Sequence, residues 1–203
     1  MPRIRAATIE EHHEMVWADL TEAVRQLLLE RDYDSINMGH IAARAGLARN
    51  TLYNYARDKR ALVLALAHRA SLPLAGQVAE IAARSSDPAA DRLREVVETI
   101  LAASTQHALR LMFLPNSSPL VAELPDGPEN PFSVLVAEVV NIVEAGVAAG
   151  EFRPVEDVRL TVELLSGAMR AGIDRITRDP DAFAATVRAA QEVVLAAVTR
   201  TGD

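Results

Sequence analysis

Arg49, Asn50, Thr51, Tyr53, Asn54 and Tyr55 crowd one short stretch, with Arg57, Lys59 and Arg60 directly behind them. Arginine bonds guanine bidentately and asparagine adenine, each pairing worth about 1–3 kcal/mol of discrimination, while lysine and tyrosine suit phosphate oxygens. Between residues 35 and 70, Arg44, Arg49, Arg57, Lys59, Arg60 and Arg69 stand against Asp58 alone, a local charge of +5. Residues 71–203 hold 11 arginines and 19 acidic residues, and the whole chain carries −7. A basic patch on an acidic chain fits a DNA-reading head on a body that a duplex repels. A solvated charged face gives the same totals.

Other chemistries find less support. The chain has no cysteine, so it has neither a disulfide framework nor a thiolate nucleophile or metal ligand. It lacks a Gly-rich phosphate loop, a His-Glu-x-x-His pair and a Gly-x-Ser-x-Gly elbow. Asp91, Glu95 and Glu98 share a helical face, but Arg92 and Arg94 beside them make it a salt-bridged surface. His12 and His13 diverge on a helix and read as surface residues, not a metal pair. No catalytic residue, metal or cofactor is expected, and the chain is not read as an enzyme.

Helices must position the basic stretch. Half of the 203 residues are apolar and 4% aromatic, so the core is built from Ala, Leu and Val, and an all-α fold follows. Thr8 and Glu11 form a capping box, opening a helix with Trp17, Leu20, Val24, Leu27 and Leu28 on one stripe. Arg3 and Arg5 precede it on a short arm, either a minor-groove finger or a disordered terminus. Asn37 caps a second helix, Met38 to Ala45; Gly46 ends it, Leu47 plugs the corner, and a third helix runs from about Arg49 to Tyr55. That is helix-turn-helix spacing. Asp58 caps a fourth helix with Leu62, Leu66 and Ala70, which Pro73 breaks or kinks.

After a helix starting at Asp87-Pro88, with Leu93, Val96, Val97, Ile100 and Leu101 inward, half of the ten prolines fall between Pro115 and Pro131. This composition predicts a long irregular connection, either a functional lid or a tolerated surface insertion. Helical stripes then return at 132–143 and 158–176, with a last helix opened by Pro180 and carrying Phe183, Val187 and Val194. No apolar run approaches the roughly 18 residues of a membrane span, and no hydrophobic signal core precedes the first helix. A cytoplasmic protein is expected.

Residues 20 to 66 resemble the DNA-binding domain of the tetracycline-repressor (TetR) family. Ile41-Ala42, Ala45-Gly46, Leu47, Thr51-Leu52-Tyr53, Lys59 and Leu62 fall in the family's register without a gap. The segment Ala145 to Pro154 is similar to the family's helix end and loop ahead of its dimerisation helices. Departures occur at Asp32, where the family has glycine at a corner, and at Asn37, where it has a capping threonine. Ala48 replaces the serine cap of the recognition helix, at a cost of roughly 0.5–2 kcal/mol. Ala56 stands where a large aromatic packs, leaving Trp17 or Tyr55 to fill the space.

The resemblance implies a three-helix head at 1–58 and a helical effector-binding and dimerisation domain at 59–203, about nine helices in all. It implies base reading by Arg49, Asn50, Thr51, Asn54 and Tyr55, and phosphate contacts by Asn37, Tyr53 and Lys59. The partners implied are a palindromic DNA operator, a second copy bound through helices at about 155–177 and 181–200, and a small, largely apolar effector. Met112, Phe113, Phe132 and Met169 are candidate effector linings, with His107 and Arg110 as polar anchors. The activity implied is that of a repressor released by the effector. A DNA-binding or protein-interaction module indifferent to ligands would keep the same fold.

Overall fold

The computed structural model describes residues 8–114 and 117–199; the Arg3–Arg5 arm and Pro115 lie outside that range. It is all-helical, as the composition predicts. The α-helices are α1 Ile9–Glu30, α2 Met38–Arg44, α3 Arg49–Tyr53, α4 Lys59–Ala83, α5 Ala89–Ala103, α6 His107–Arg110, α7 Ser118–Ala122, α8 Ser133–Ala148, α9 Val158–Arg178 and α10 Phe183–Val198. Short 3-10 turns at Tyr33–Ser35, Leu111–Phe113, Gly127–Glu129 and Pro180–Ala182 link them.

Local chemistry sets the helix ends. The Thr8 hydroxyl accepts from the Glu11 amide at 3.1 Å, and the Thr8 amide donates to the Glu11 carboxylate at 3.2 Å. Asp58 Oδ1 accepts from the Ala61 amide at 2.7 Å and starts α4. Gly46, at φ +67°, closes α2: the amides of Gly46 and Leu47 return to the carbonyls of Ala43 and Ala42 at 3.3 and 2.9 Å. This double bond from beyond the helix end is a Schellman motif, and glycine adopts the left-handed conformation it needs without a Cβ penalty.

One departure from the family pattern takes its form here, and one expectation changes. Asp32 has φ −66° and ψ 144°, so the corner after α1 is made by extended residues and a 3-10 turn, not by a left-handed residue. Pro73 does not end a helix, because α4 runs from Lys59 through it to Ala83. Proline removes one helical donor, here the one owed to the Arg69 carbonyl. Burial on both sides of it, from Leu62, Val63, Leu66 and Ala67 to Leu74, Val78 and Ile81, sustains the helix. By length and composition α4 is also apolar enough to cross a membrane, although half of that apolar window is buried in protein.

The chain divides into two compact units, 1–69 with 107–124, and 70–106 with 125–203. The division differs from the expected boundary at 58/59 because the first turns of α4 pack with the head. The segment 107–124 belongs there too. In the first unit α1, α2 and α3 bury Leu20, Val24, Leu27, Ile41 and Leu52, α7 packs on the turn Tyr33–Ser35, and Leu111–Phe113 packs on α1. The proline-rich connection is thus no mere surface insertion in this part. Leu111, Met112, Leu114 and Leu120 are buried, and the buried Ser117 hydroxyl donates to carbonyls of the preceding turn.

In the second unit α5 packs on α8, α9 and α10, and α9 packs on α8 and α10. Leu93, Val97, Leu101, Ile142, Val143, Ile173 and Val194 fill this core. Gly146 lets the buried Phe152 fold back onto α8. A Cβ at Gly146 would overlap the Phe152 ring and stand 2.9 Å from the Ala89 Cβ. Glu151, just past the end of α8, accepts from the Ala89 amide at 2.7 Å. Gly146→Ala is expected to destabilise the protein by about 1–3 kcal/mol through overpacking, seen as a lower thermal midpoint.

Candidate nucleic-acid interface

The turn at Gly46 sets α3 across α2, and Leu52, fully buried, anchors α3 into the head. With Leu52 inward, Arg49, Asn50, Tyr53 and Asn54 are exposed and Thr51 is half-buried. Ala48 offers no side-chain cap, and α3 is only five residues long, its end closed by Asn54. Tyr53, at 45% exposure, is the most exposed of the head's tyrosines and is free of the core role that would compete with a phosphate contact.

Asn37 and Arg49 approach each other. Asn37 Oδ1 accepts from the His40 amide at 3.0 Å, and the Asn37 amide donates to His40 Nδ1 at 3.4 Å. The sequence pattern of Ser/Thr with Glu/Gln missed this reciprocal cap; the signal was an Asn three residues before a residue able to accept. It uses the Asn37 oxygen and leaves the carboxamide nitrogen as a donor. A Cβ on Gly39 would lie 3.1 Å from Asn37 Oδ1 and 3.8 Å from Arg49 Cζ, so the Arg49 guanidinium folds over the first turn of α2.

The basic patch is partly neutralised within the head. Arg44 forms a two-pronged pair with Glu30 at 2.8 and 2.6 Å and also reaches Gln26, tying α2 to α1. The Arg44 hydrogen bond holds the Glu30 carboxyl below its ordinary range. Arg69 pairs with Glu14 and lies 5.1 Å from the Trp17 ring, and Arg57 pairs with Asp58 at 3.3 Å. Arg49 and Arg60 are exposed and, among the described residues, not ion-paired. Lys59 Nζ donates to the Tyr33 carbonyl at 3.0 Å and lies 3.8 Å above the Tyr33 ring.

Tyr55 is the one expected base reader that the structure turns elsewhere. It follows the end of α3, and its ring meets Trp17 edge-on at 5.3 Å and His13 at 5.5 Å. The adjacent Ala56 is buried, so the aromatic packing that the family draws from that position comes here from its neighbour. The candidate effector residues are not gathered into one unit. His107 opens α6; it belongs with the exposed Arg110, the buried Met112 and the half-buried Phe113 to the head unit, whereas Phe132 and Met169 belong to the other.

Sequence reasoning missed Tyr33 and Glu123. Tyr33 is 1% exposed, and its hydroxyl donates to Glu123 Oε2 at 2.6 Å across 90 residues of chain. Burial, and then the bond to Glu123, push that hydroxyl far above the ordinary phenol range, so it stays a donor. No local pattern marks a pairing over that separation.

Comparison with known proteins agrees with this geometry. Residues 20–66 match the family model of bacterial regulatory proteins, tetR family. An uncharacterized HTH-type transcriptional regulator of Mycobacterium tuberculosis is 30% identical over 105 residues, 52% of this chain and 52% of the relative. The chain thus spans about half the length of the curated relatives it matches. The fatty acid degradation regulator FadR from Bacillus halodurans superposes with a TM-score of 0.71 at 17% identity, over 88% of this chain and 94% of that one. SmeT, the repressor of a multidrug efflux pump of Stenotrophomonas maltophilia, superposes in its triclosan complex with a TM-score of 0.66 at 14% identity, over 92% and 93% of the chains. At these identities the two structures speak for the fold.

Packing of Tyr55 on Trp17 has a measurable consequence. Tyr55→Ala is expected to lower the stability of the protein by about 1–3 kcal/mol in thermal unfolding. The bases preferred in a selection from random duplexes are expected to stay the same.

Proposed function

We propose that the chain, whose residues 20–66 match the tetR family of bacterial regulatory proteins, is a repressor that binds a palindromic operator as a homodimer and is released by a small, largely apolar effector. The observation that carries this is the head itself: α2, the Gly46 turn and α3 present Arg49, Asn50 and Asn54 to solvent on a buried Leu52 anchor. Arg49, Asn50, Thr51 and Asn54 read bases; Asn37, Tyr53 and Lys59 hold phosphates. The match at residues 20–66 supports a regulator and not an enzyme, and a cytoplasmic location accords with that role.

One head reads too few base pairs to be selective, and dimers place two heads on half-sites about one helical turn apart. Leu160 and Leu164 of α9 and Val193 of α10 are exposed, at 51%, 70% and 52%. Apolar residues left outside on two long helices support pairing with a second copy through α9 and α10. The triclosan complex of SmeT supports a ligand held by a body of this fold. Phe132 and Met169 are the linings we assign to it within the second unit. Coupling of about 1–3 kcal/mol between effector and DNA would change affinity 5–150-fold.

Mobility shift on DNA flanking the protein's own gene, repeated with a panel of small molecules, tests the whole reading. Retarded duplex that is released by one compound is the expected result; binding that no compound alters points to a module indifferent to ligands. Arg49→Ala is expected to relax the sequence preference by about 1–3 kcal/mol at one position per half-site. Unchanged preference would remove Arg49 from the reading set. Light scattering is expected to give a dimer, and a monomer at micromolar concentration would refute the half-site arrangement.

A further inference from the structure

Three groups from distant parts of the chain meet at the corner after α1. The buried Tyr33 hydroxyl bonds Glu123 at 2.6 Å, and Lys59 Nζ sits on the other side of the same residue, 3.0 Å from its carbonyl and 3.8 Å above its ring. All three belong to the head unit. Glu123 closes the end of α7, and α7 packs on the turn that carries Tyr33.

An ammonium has three donors and no acceptor. With one N–H on the carbonyl and the charge drawn to the ring face, the other two donors are confined to directions that Tyr33 limits. A free lysine surrenders rotamer freedom when it grips a phosphate, and a lysine already held surrenders less. The ring can hold Lys59 only while it is itself held, and a buried phenol needs a partner for its hydroxyl. Glu123 supplies a charge-assisted one.

We propose that Glu123 is a positioning residue for the phosphate contact of Lys59, acting through Tyr33. The proposal rests on the DNA-binding reading above. It also reverses the sign that charge alone predicts. A carboxylate near a phosphate backbone repels it, so simple electrostatics has the loss of Glu123 strengthen DNA binding. Positioning has the same loss weaken it.

Lys59 is the only lysine in the chain, so acylation of its amine reports on it without interference from other side chains. Glu123→Ala and Tyr33→Phe are made in the full chain and in a Lys59→Ala background, and their folding is checked by thermal unfolding. Mass spectrometry then follows Lys59 acylation in DNA-free protein, and binding to a mixed-sequence duplex is titrated over a range of salt. Each variant is expected to raise the acylation rate and weaken duplex binding about 3–10-fold, as the loss of one hydrogen bond would. In the Lys59→Ala background, where the salt slope is already reduced by about one, no further loss is expected. Glu123→Gln keeps an acceptor and is expected to restore most of the binding; with Tyr33→Phe it also serves if Glu123→Ala does not fold.

Tighter binding on loss of Glu123, an equal loss with and without Lys59, or an unchanged acylation rate would each overturn the proposal. A wild-type chain that binds no duplex, while the variants still change Lys59 acylation, would instead overturn the DNA-binding reading and leave Lys59 held for some other purpose.

Discussion

Burying the phenol of Tyr33 imposes an obligation that organises the rest of the head. The side chain is almost fully enclosed, so its hydroxyl requires a partner or leaves an unsatisfied group at a cost of about 1–3 kcal/mol. The partner comes from Glu123, at the far end of a segment that the chain order alone would assign to the body. Its ring and carbonyl in turn receive the ammonium of Lys59 as α4 begins. One residue thus joins the corner after α1, the segment ending in α7 and the start of α4. With those fixed, α2 rests on α1 through the Arg44–Glu30 pair and the buried Ile41, and α3 packs on α2 with Leu52 buried.

Charge is spent differently from its distribution in the sequence. Between residues 35 and 70 the cations outnumber the single anion, yet Arg44 and Arg69 are tied to acids on α1, and Arg57 to Asp58. The exposed cations close to α3 are Arg49, Arg57 and Arg60, with Arg57 89% exposed beside Asp58. A stretch that reads as a uniform basic patch is therefore two populations, one holding the head together and one facing solvent. Exposed pairs of this kind contribute little each, with a median of about 0–1 kcal/mol, so their effect lies more in the field they remove than in stability.

Much of this was legible because it is local. The capping box of α1, the Asn37 cap, the glycine that closes α2, the missing cap at Ala48 and the buried stripes of α1 and α5 all follow from residues within a few positions of one another. What could not be read depends on long separation or on competition between effects. Pro73 favours a break, but apolar burial on both sides of it keeps α4 intact. Tyr55 has the chemistry of a base reader, but two aromatic rings of α1 stand within reach once α3 stops at Tyr53. The prolines after residue 114 argue against regular helix, and they say nothing of whether Leu120 and Ser117 will be buried.

The discontinuous head bears on how such a protein can be recombined. A module that occupies one run of sequence can be cut and grafted at a single junction. Here residues 1–69 and 107–124 form one unit, and the helix α4 enters it partway along its length. Transplanting the first 58 residues onto another body would leave Tyr33 without Glu123 and would strip away the buried Leu111, Met112 and Leu120 that fold with the head. Under the proposed DNA-binding role, exchange of sequence preference is then easier through substitutions in and just after α3, where Arg49, Asn50 and Asn54 carry little of the core, than through the shuffling of whole domains. The exposed face of α3 can change residue by residue, while the packing beneath it has to move as a piece.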